Sequence, residues 1–147
     1  MDSDARREIE SLIPHRPPFL FVDAIIDRTE DSITTEWCPG EDFPPFSGHY
    51  PNQPVLPGVL ISEFCFQTSA LLLADPESQS NVIPVLTKIE SARFRRIVRP
   101  GETLRATVTK KHALGQARYM TGRVDCEGSA VLRIEFVVAE VPAEEHS

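Results

Sequence analysis

Apolar and polar positions follow two different periods along this chain, and the change of period divides it. From Thr103 to His112, Leu104, Ala106 and Val108 alternate with polar residues. From Arg118 to Cys126 the alternating set is Met120, Gly122 and Val124, and in the last run it is Ala130, Leu132, Ile134, Phe136 and Val138. A period of two predicts strands that bury one face. Between Gly58 and Ala74, by contrast, nearly every residue is apolar or small. That run is too long for a typical strand and predicts a helix buried on most of its circumference.

The remaining segments fill in around these. Ser3–Ile13 predicts a short helix with Ile9, Leu12 and Ile13 on one side and Pro14 ending it. Pro14 to Phe19 is too proline-rich for regular structure. Phe19–Asp27 and Ser32–Cys38 read as two strands joined in a hairpin around Thr29–Asp31. Val82–Ile89 and Ala92–Val98 are two strands or one bent strand, Arg99–Glu102 is a turn, and Glu127-Gly128 makes another. Pro39–Pro57 is a long loop with six prolines, and structureless loops of that length are uncommon unless functional. With no repeat or linker in view, residues 1–147 predict a single α+β domain, a sheet wrapped around one helix.

Composition narrows the function. Hydrophobic residues make up 41% and charged residues 25% of 147, an ordinary mixture for a globular protein with a real core. The longest apolar run, Val55 to Ala74, is broken by Pro57, Ser62, Glu63 and Gln67, so no membrane span is expected. The charged N-terminus leads into no signal-peptide core. Cys38, Cys65 and Cys126 are scattered with no CxxC pair, which predicts reduced thiols and a cytoplasmic protein with no metal site. A net charge of −7 argues against nucleic acid as the main partner. Its distribution is uneven: Lys88 to Lys111 holds eight basic residues, opposed in sequence only by Glu90 and Glu102. Such a patch suits either an anionic partner steered to one face or ordinary solvated strands.

The candidate chemistry lies between Ser47 and Glu63. His49 sits in a loop stiffened by Pro44, Pro45, Pro51 and Pro54, and an imidazole is a base near neutral pH. Glu63 lies early in the apolar helix, where burial raises a carboxyl pKa and suits a proton donor. A glutamate in isolation is more often one that reaches the helix edge and pairs with an arginine; the nearness of His49 reverses that preference. Gln67, at i+4, is placed to orient the carboxyl group. Gly58 starts the helix, where free N–H groups and the helix dipole favour developing negative charge. An oxyanion-hole donor of this kind is worth roughly 3 kcal/mol. No GxSxG, P-loop, GxGxxG or HExxH is present. Cys65 has no activating base nearby in sequence and reads as a core thiol.

Three segments, Leu12–Asp23 (Leu-Ile-Pro-His-Arg-Pro-Pro-Phe-Leu-Phe-Val-Asp), Gly48–Glu63 (Gly-His-Tyr-Pro-Asn-Gln-Pro-Val-Leu-Pro-Gly-Val-Leu-Ile-Ser-Glu) and Ala92–Glu102 (Ala-Arg-Phe-Arg-Arg-Ile-Val-Arg-Pro-Gly-Glu), resemble the FabZ-type 3-hydroxyacyl-[acyl-carrier-protein] dehydratases of the hot-dog fold. The resemblance implies loss of water from a (3R)-hydroxyacyl thioester to give a trans-2-enoyl thioester, with no cofactor. In it His49 takes the C2 proton, Glu63 assists departure of the C3 hydroxyl and the Gly58 N–H holds the thioester carbonyl. It also implies a homodimer whose two sheets join, His49 of one subunit facing Glu63 of the other, and often a trimer of such dimers. An acidic acyl-carrier protein as partner would give the basic cluster, Arg93, Arg95, Arg96 and Arg99 above all, a docking role. Glutamate at position 63, where related dehydratase–isomerases carry aspartate, favours simple dehydration.

The chain departs from that family's pattern in two places. Small residues usually follow the glutamate; here Phe64 and Phe66 stand where they would reshape or shorten an acyl tunnel, or else repack against a neighbouring element. Tyr50 replaces a commoner phenylalanine. Two other readings stay open: a hot-dog thioesterase, which needs a carboxylate but not this histidine loop, and a non-catalytic module that binds acyl chains or acyl-carrier protein.

Overall fold

The computed structural model describes residues 2–77 and 82–143. It is built from α1 (Ser3–Leu12), β1 (Ala24–Arg28), β2 (Ser32–Trp37), α2 (Pro45–Gly48), α3 (Gly58–Leu73), β3 (Val82–Phe94), β4 (Leu104–Leu114), β5 (Ala117–Cys126) and β6 (Ser129–Pro142). The six strands form one sheet in the order β1-β2-β4-β5-β6-β3, with every neighbouring pair antiparallel. The sheet closes around α3, which packs chiefly on β2 and β4. This is the α+β arrangement expected, a long helix clasped by an antiparallel sheet, and it is the hot-dog fold.

The alternating residues supply the inner face. Ala106, Val108, Met120, Val124, Leu132, Ile134 and Phe136 are all buried, and they meet Ile61, Phe64, Cys65 and Leu71 of α3 in one core. Because α3 has no solvated stripe, its polar residues need partners inside. Thr68 donates to the Phe64 carbonyl (2.7 Å) and shares a hydrogen bond with Thr35 of β2 (2.8 Å). Ser69 donates to the Phe66 carbonyl. At the far end Arg28 donates to the carbonyls of Leu72 and Ala74 (3.2 and 2.8 Å), placing a cation where the helix dipole is negative.

Two segments differ from the sequence reading. The first strand begins at Ala24 instead of Phe19. The reason is that the Phe21 N–H and the Phe19 carbonyl are bonded to the Gln67 side chain and are lost to a ladder. The segment from Val82 onward is one strand, with register shifts between Leu86 and Lys88 and between Ile89 and Ser91. Such bulges bend a strand without ending it. The expected long loop also holds the single turn α2, with Phe46 buried beneath it. Part of the acidic tail, including His146, lies outside the described residues.

At Gly122 the sheet leaves no room for a side chain beneath α3. A Cβ there would lie 2.9 Å from Ile134 Cγ2 and 3.3 Å from Cys65 Sγ. Overpacking of this kind costs about 1–3 kcal/mol. Gly122→Ala is therefore expected to lower the unfolding free energy by that much, seen in equilibrium urea unfolding as a lower midpoint with an unchanged slope.

Candidate active site

The loop before α3 is held by its own backbone. Tyr50 and Gln53 exchange two hydrogen bonds (3.2 and 3.0 Å), Val55 donates to the His49 carbonyl (2.9 Å), and Leu56 donates to Val98 (2.8 Å). The His49–Tyr50 peptide bond is cis, and the two rings stack at 4.1 Å. Val55 then does a second thing: its carbonyl oxygen lies 2.9 Å from His49 Nδ1. A carbonyl only accepts, so Nδ1 carries a proton, and in the neutral ring Nε2 holds the lone pair. Held this way, a neutral imidazole presents Nε2 as its basic atom. Nothing in the sequence pointed to Val55, because a backbone carbonyl has no side-chain signature.

Glu63 stands about one and a half turns into α3, partly buried. Burial pushes its carboxyl pKa up, and the hydrogen bond from Gln67 pulls it partly back. Gln67 is itself 1% exposed. Its Oε1 accepts from the Phe21 N–H (2.7 Å), and its Nε2 donates to the Phe19 carbonyl (3.0 Å) and to Glu63 Oε2 (3.1 Å). The Phe21 N–H fixes which end of the amide is oxygen, so the NH2 end must face the carboxyl group. Orientation of Glu63 by Gln67 was expected from their spacing. The anchoring of Gln67 by residues some 46 positions earlier was not.

Gly58 is the first residue of α3, and neither its N–H nor that of Val59 has a protein acceptor among the described residues. A Cβ at Gly58 would lie 3.1 Å from the ring of Phe94, so the absent side chain keeps the helix start open beside β3. Within one chain no hydrogen bond or ion pair among the described residues joins His49 to Glu63. Cavities of about 440, 370 and 460 Å³ open on the described residues, and neither residue lines any of them.

The other sequence candidates spread out. Phe64 is fully buried, edge to face with Trp37 at 5.6 Å, and Phe66 is half-buried against Phe136 at 5.0 Å; neither lines the three cavities. Arg93, Arg95 and Arg99 are exposed, whereas Arg96 pairs with Glu102 and donates to the Cys126 carbonyl. Glu36 and Glu135 answer Arg105 and Lys111 across strands, so the basic cluster is opposed by more carboxylates than the sequence order revealed. Cys65 is buried, its thiol pKa pushed up to about 12, which makes it inert at neutral pH. His15 is half-buried, and burial followed by the neighbouring Arg16 lowers its pKa. His112 stacks on Tyr119.

Residues 25–131, which include His49, Gly58, Glu63 and Gln67, match the family described as ApeI-like, the ApeI dehydratase. The chain belongs to the ApeI-like dehydratase family. It is also 38% identical over 133 residues to a 3-hydroxyacyl-[acyl-carrier-protein] dehydratase FabZ of Anaeromyxobacter sp., covering 88% of this chain and 85% of that protein. A FabZ of Petrotoga mobilis is 46% identical over 99 residues, 66% of this chain and 69% of the relative. Among solved structures, the dehydratase heterocomplex ApeI:P from Xenorhabdus doucetiae superimposes with a TM-score of 0.77 at 14% identity, over 90% of each chain. A hypothetical thioesterase with coenzyme A from Streptococcus pneumoniae gives 0.64 at 12% identity, over 97% of this chain and 98% of that one. Structural likeness at these identities shows the fold. It is the sequence relatives that separate this ApeI-like dehydratase from the thioesterase reading.

The burial of Glu63 has a consequence for stability. A carboxyl group whose pKa is raised on folding binds its proton more tightly in the native state. The wild type therefore loses stability as pH rises through the carboxylate range. Glu63→Gln cannot ionise, so its stability relative to the wild type should increase from about pH 4 to about pH 7. Urea unfolding of both proteins at the two pH values measures this. A difference that stays constant or shrinks would mean that Glu63 is not held in a proton-retaining environment.

Proposed function

We propose that this chain removes water from (3R)-3-hydroxyacyl thioesters borne by acyl-carrier protein, in fatty-acid or related acyl-chain synthesis, with His49 as base and Glu63 as acid. The observation that carries the reading is the bond between His49 Nδ1 and the Val55 carbonyl, which makes Nε2 the basic atom of the neutral ring in a stiff loop. The names of the sequence relatives support the substrate class. In this reading Nε2 takes the C2 proton, and the C–H electron pair becomes the C2–C3 double bond. Glu63, whose carboxyl pKa burial raises, gives its proton to the departing C3 hydroxyl, which leaves as water. Negative charge that builds on the thioester oxygen meets the free Gly58 N–H at the positive end of α3.

The site is completed by a second copy of the chain. Support comes from the two sheet edges. β1 is five residues long and carries Asp27 and Arg28, whereas β3 runs for thirteen residues. β3 is paired on one side only and exposes Val82, Val85, Leu86, Ile89 and Phe94. A long apolar edge is one that natural sheets cover. Joining two β3 edges brings the helix starts of two copies near the same seam, so that His49 of one copy serves Glu63 of the other.

His49→Ala and Glu63→Gln are each expected to lower turnover by about 10²- to 10⁴-fold, followed as enoyl absorbance with a 3-hydroxyacyl thioester. Mixing the two inactive proteins should restore activity, since a mixed dimer holds one intact pair. Full activity in either variant would overturn the roles, and no recovery on mixing would place both groups in one chain.

Carrier docking is the remaining element. Of the four arginines selected from sequence, Arg95 is the cleaner probe, because Arg96 is tied to Glu102 and Cys126 within the chain. Arg95→Glu should raise KM for the carrier-borne substrate at least about tenfold and reduce its salt dependence. Turnover of a carrier-free thioester should not change. Equal loss on both substrates would make Arg95 a residue of the site itself.

A further inference from the structure

The outer face of the sheet holds a second cluster, separate from His49 and Glu63. Strand register sets Thr107 beside Arg123, Arg123 beside Arg133 and Arg133 beside Arg93, in one row across β4, β5, β6 and β3. All three arginines are exposed. With Arg95, Thr109 and Thr121 they line the cavity of about 440 Å³, whose floor is sheet backbone.

The charges in this groove are poorly compensated. Arg123 is held by Asp125 at 2.9 Å, but among the described residues neither Arg93 nor Arg133 has a carboxylate partner. The one carboxylate lining the groove, Glu135, is already engaged by Lys111 at 3.1 Å and by the Ser91 hydroxyl at 3.4 Å. Like charges directly opposite one another disfavour strand pairing. Arg133 has an arginine on each side, so the row is stable at a cost that a bound anion would remove. Guanidinium forks flanked by hydroxyls are the donors that suit phosphate oxygens. Adjacent strands lie about 4.8 Å apart, so three arginines span about 10 Å, more than one phosphate occupies.

We propose that this groove binds the di- or polyphosphate group of a small molecule, at a site distinct from the dehydration centre. Arg93 and Arg95 border both this groove and the region assigned to carrier docking, whereas Arg123 and Arg133 belong to the groove alone.

Inorganic pyrophosphate titrated into the purified protein at low ionic strength, followed by calorimetry, tests this directly. Saturable binding is expected, tighter than that of inorganic phosphate and weakened at least about tenfold in Arg123→Gln and in Arg133→Gln. Lys88→Gln, which removes a charge from β3 outside the groove, should bind like the wild type. Both arginine variants should dehydrate a carrier-free thioester at the wild-type rate, which also reports that they fold. Equal weakening in Lys88→Gln would reduce the effect to general charge and overturn the proposal. So would phosphate binding as tightly as pyrophosphate. Binding to vesicles containing an anionic phospholipid, with none to free pyrophosphate, would assign the face to a membrane surface and overturn it too.

Discussion

The Gln67 amide is the point on which the candidate site depends. Buried in α3, it cannot leave a polar atom unpaired without losing about 1–3 kcal/mol. It satisfies this by reaching in three directions: to the Phe21 N–H, to the Phe19 carbonyl and to Glu63. The first two bonds take the backbone of residues 19 to 21 away from the sheet and strap it across the helix. The third holds the Glu63 carboxyl group in one orientation. One side chain thus decides where β1 begins, how the N-terminal segment lies and which way Glu63 points.

The same helix explains why that carboxyl group, the acid of the proposed reaction, has a raised pKa. An amphipathic helix would leave a glutamate on its wet side, ionised at neutral pH. α3 has no such side, because the sheet curls around it and buries residues on successive turns from Ile61 to Leu72. Glu63 lies near the helix start and is only partly buried there, so burial raises its carboxyl pKa while the group stays reachable. Burial and access conflict, and the helix start is where both are met. Gly58 serves the same compromise, since a side chain there would fill the space against Phe94.

How much of this was legible in the sequence follows from the range of each interaction. The helix, the alternating strands and the closeness of His49, Gly58 and Glu63 are local patterns, and all could be read from spacing. The i+4 bond from Gln67 to Glu63 could be read for the same reason. What spacing could not carry were pairings across the fold. Phe19 to Phe21 has strand-like composition, and only the position of Gln67 removes it from the sheet. Arg105 and Lys111 look unopposed along the chain, because Glu36 and Glu135 reach them from other strands. The bulges that make β3 a single strand depend on β6, not on β3 alone. Val55 was invisible for a different reason: it acts through its backbone.

This division bears on how one fold serves several chemistries. The ApeI-like dehydratase shares its sheet and helix with thioesterase-like structures, so wrapping a helix in a sheet does not by itself choose a reaction. In the reading proposed for this chain the choice is made in the stretch from His49 to Gly58, which gives only Leu56 to the core. That stretch is stiffened by its own hydrogen bonds and joined to the rest through Leu56 and Val98. Because the Val55 carbonyl and not a core side chain fixes the His49 tautomer, the base can be supplied or lost by loop changes without unfolding the domain. Glu63 is tied more closely to the fold, since its helix is packed in the core and Gln67, anchored to Phe19 and Phe21, holds its carboxyl group. In the proposed reading, loop changes would therefore remove the base while leaving the acid position in place.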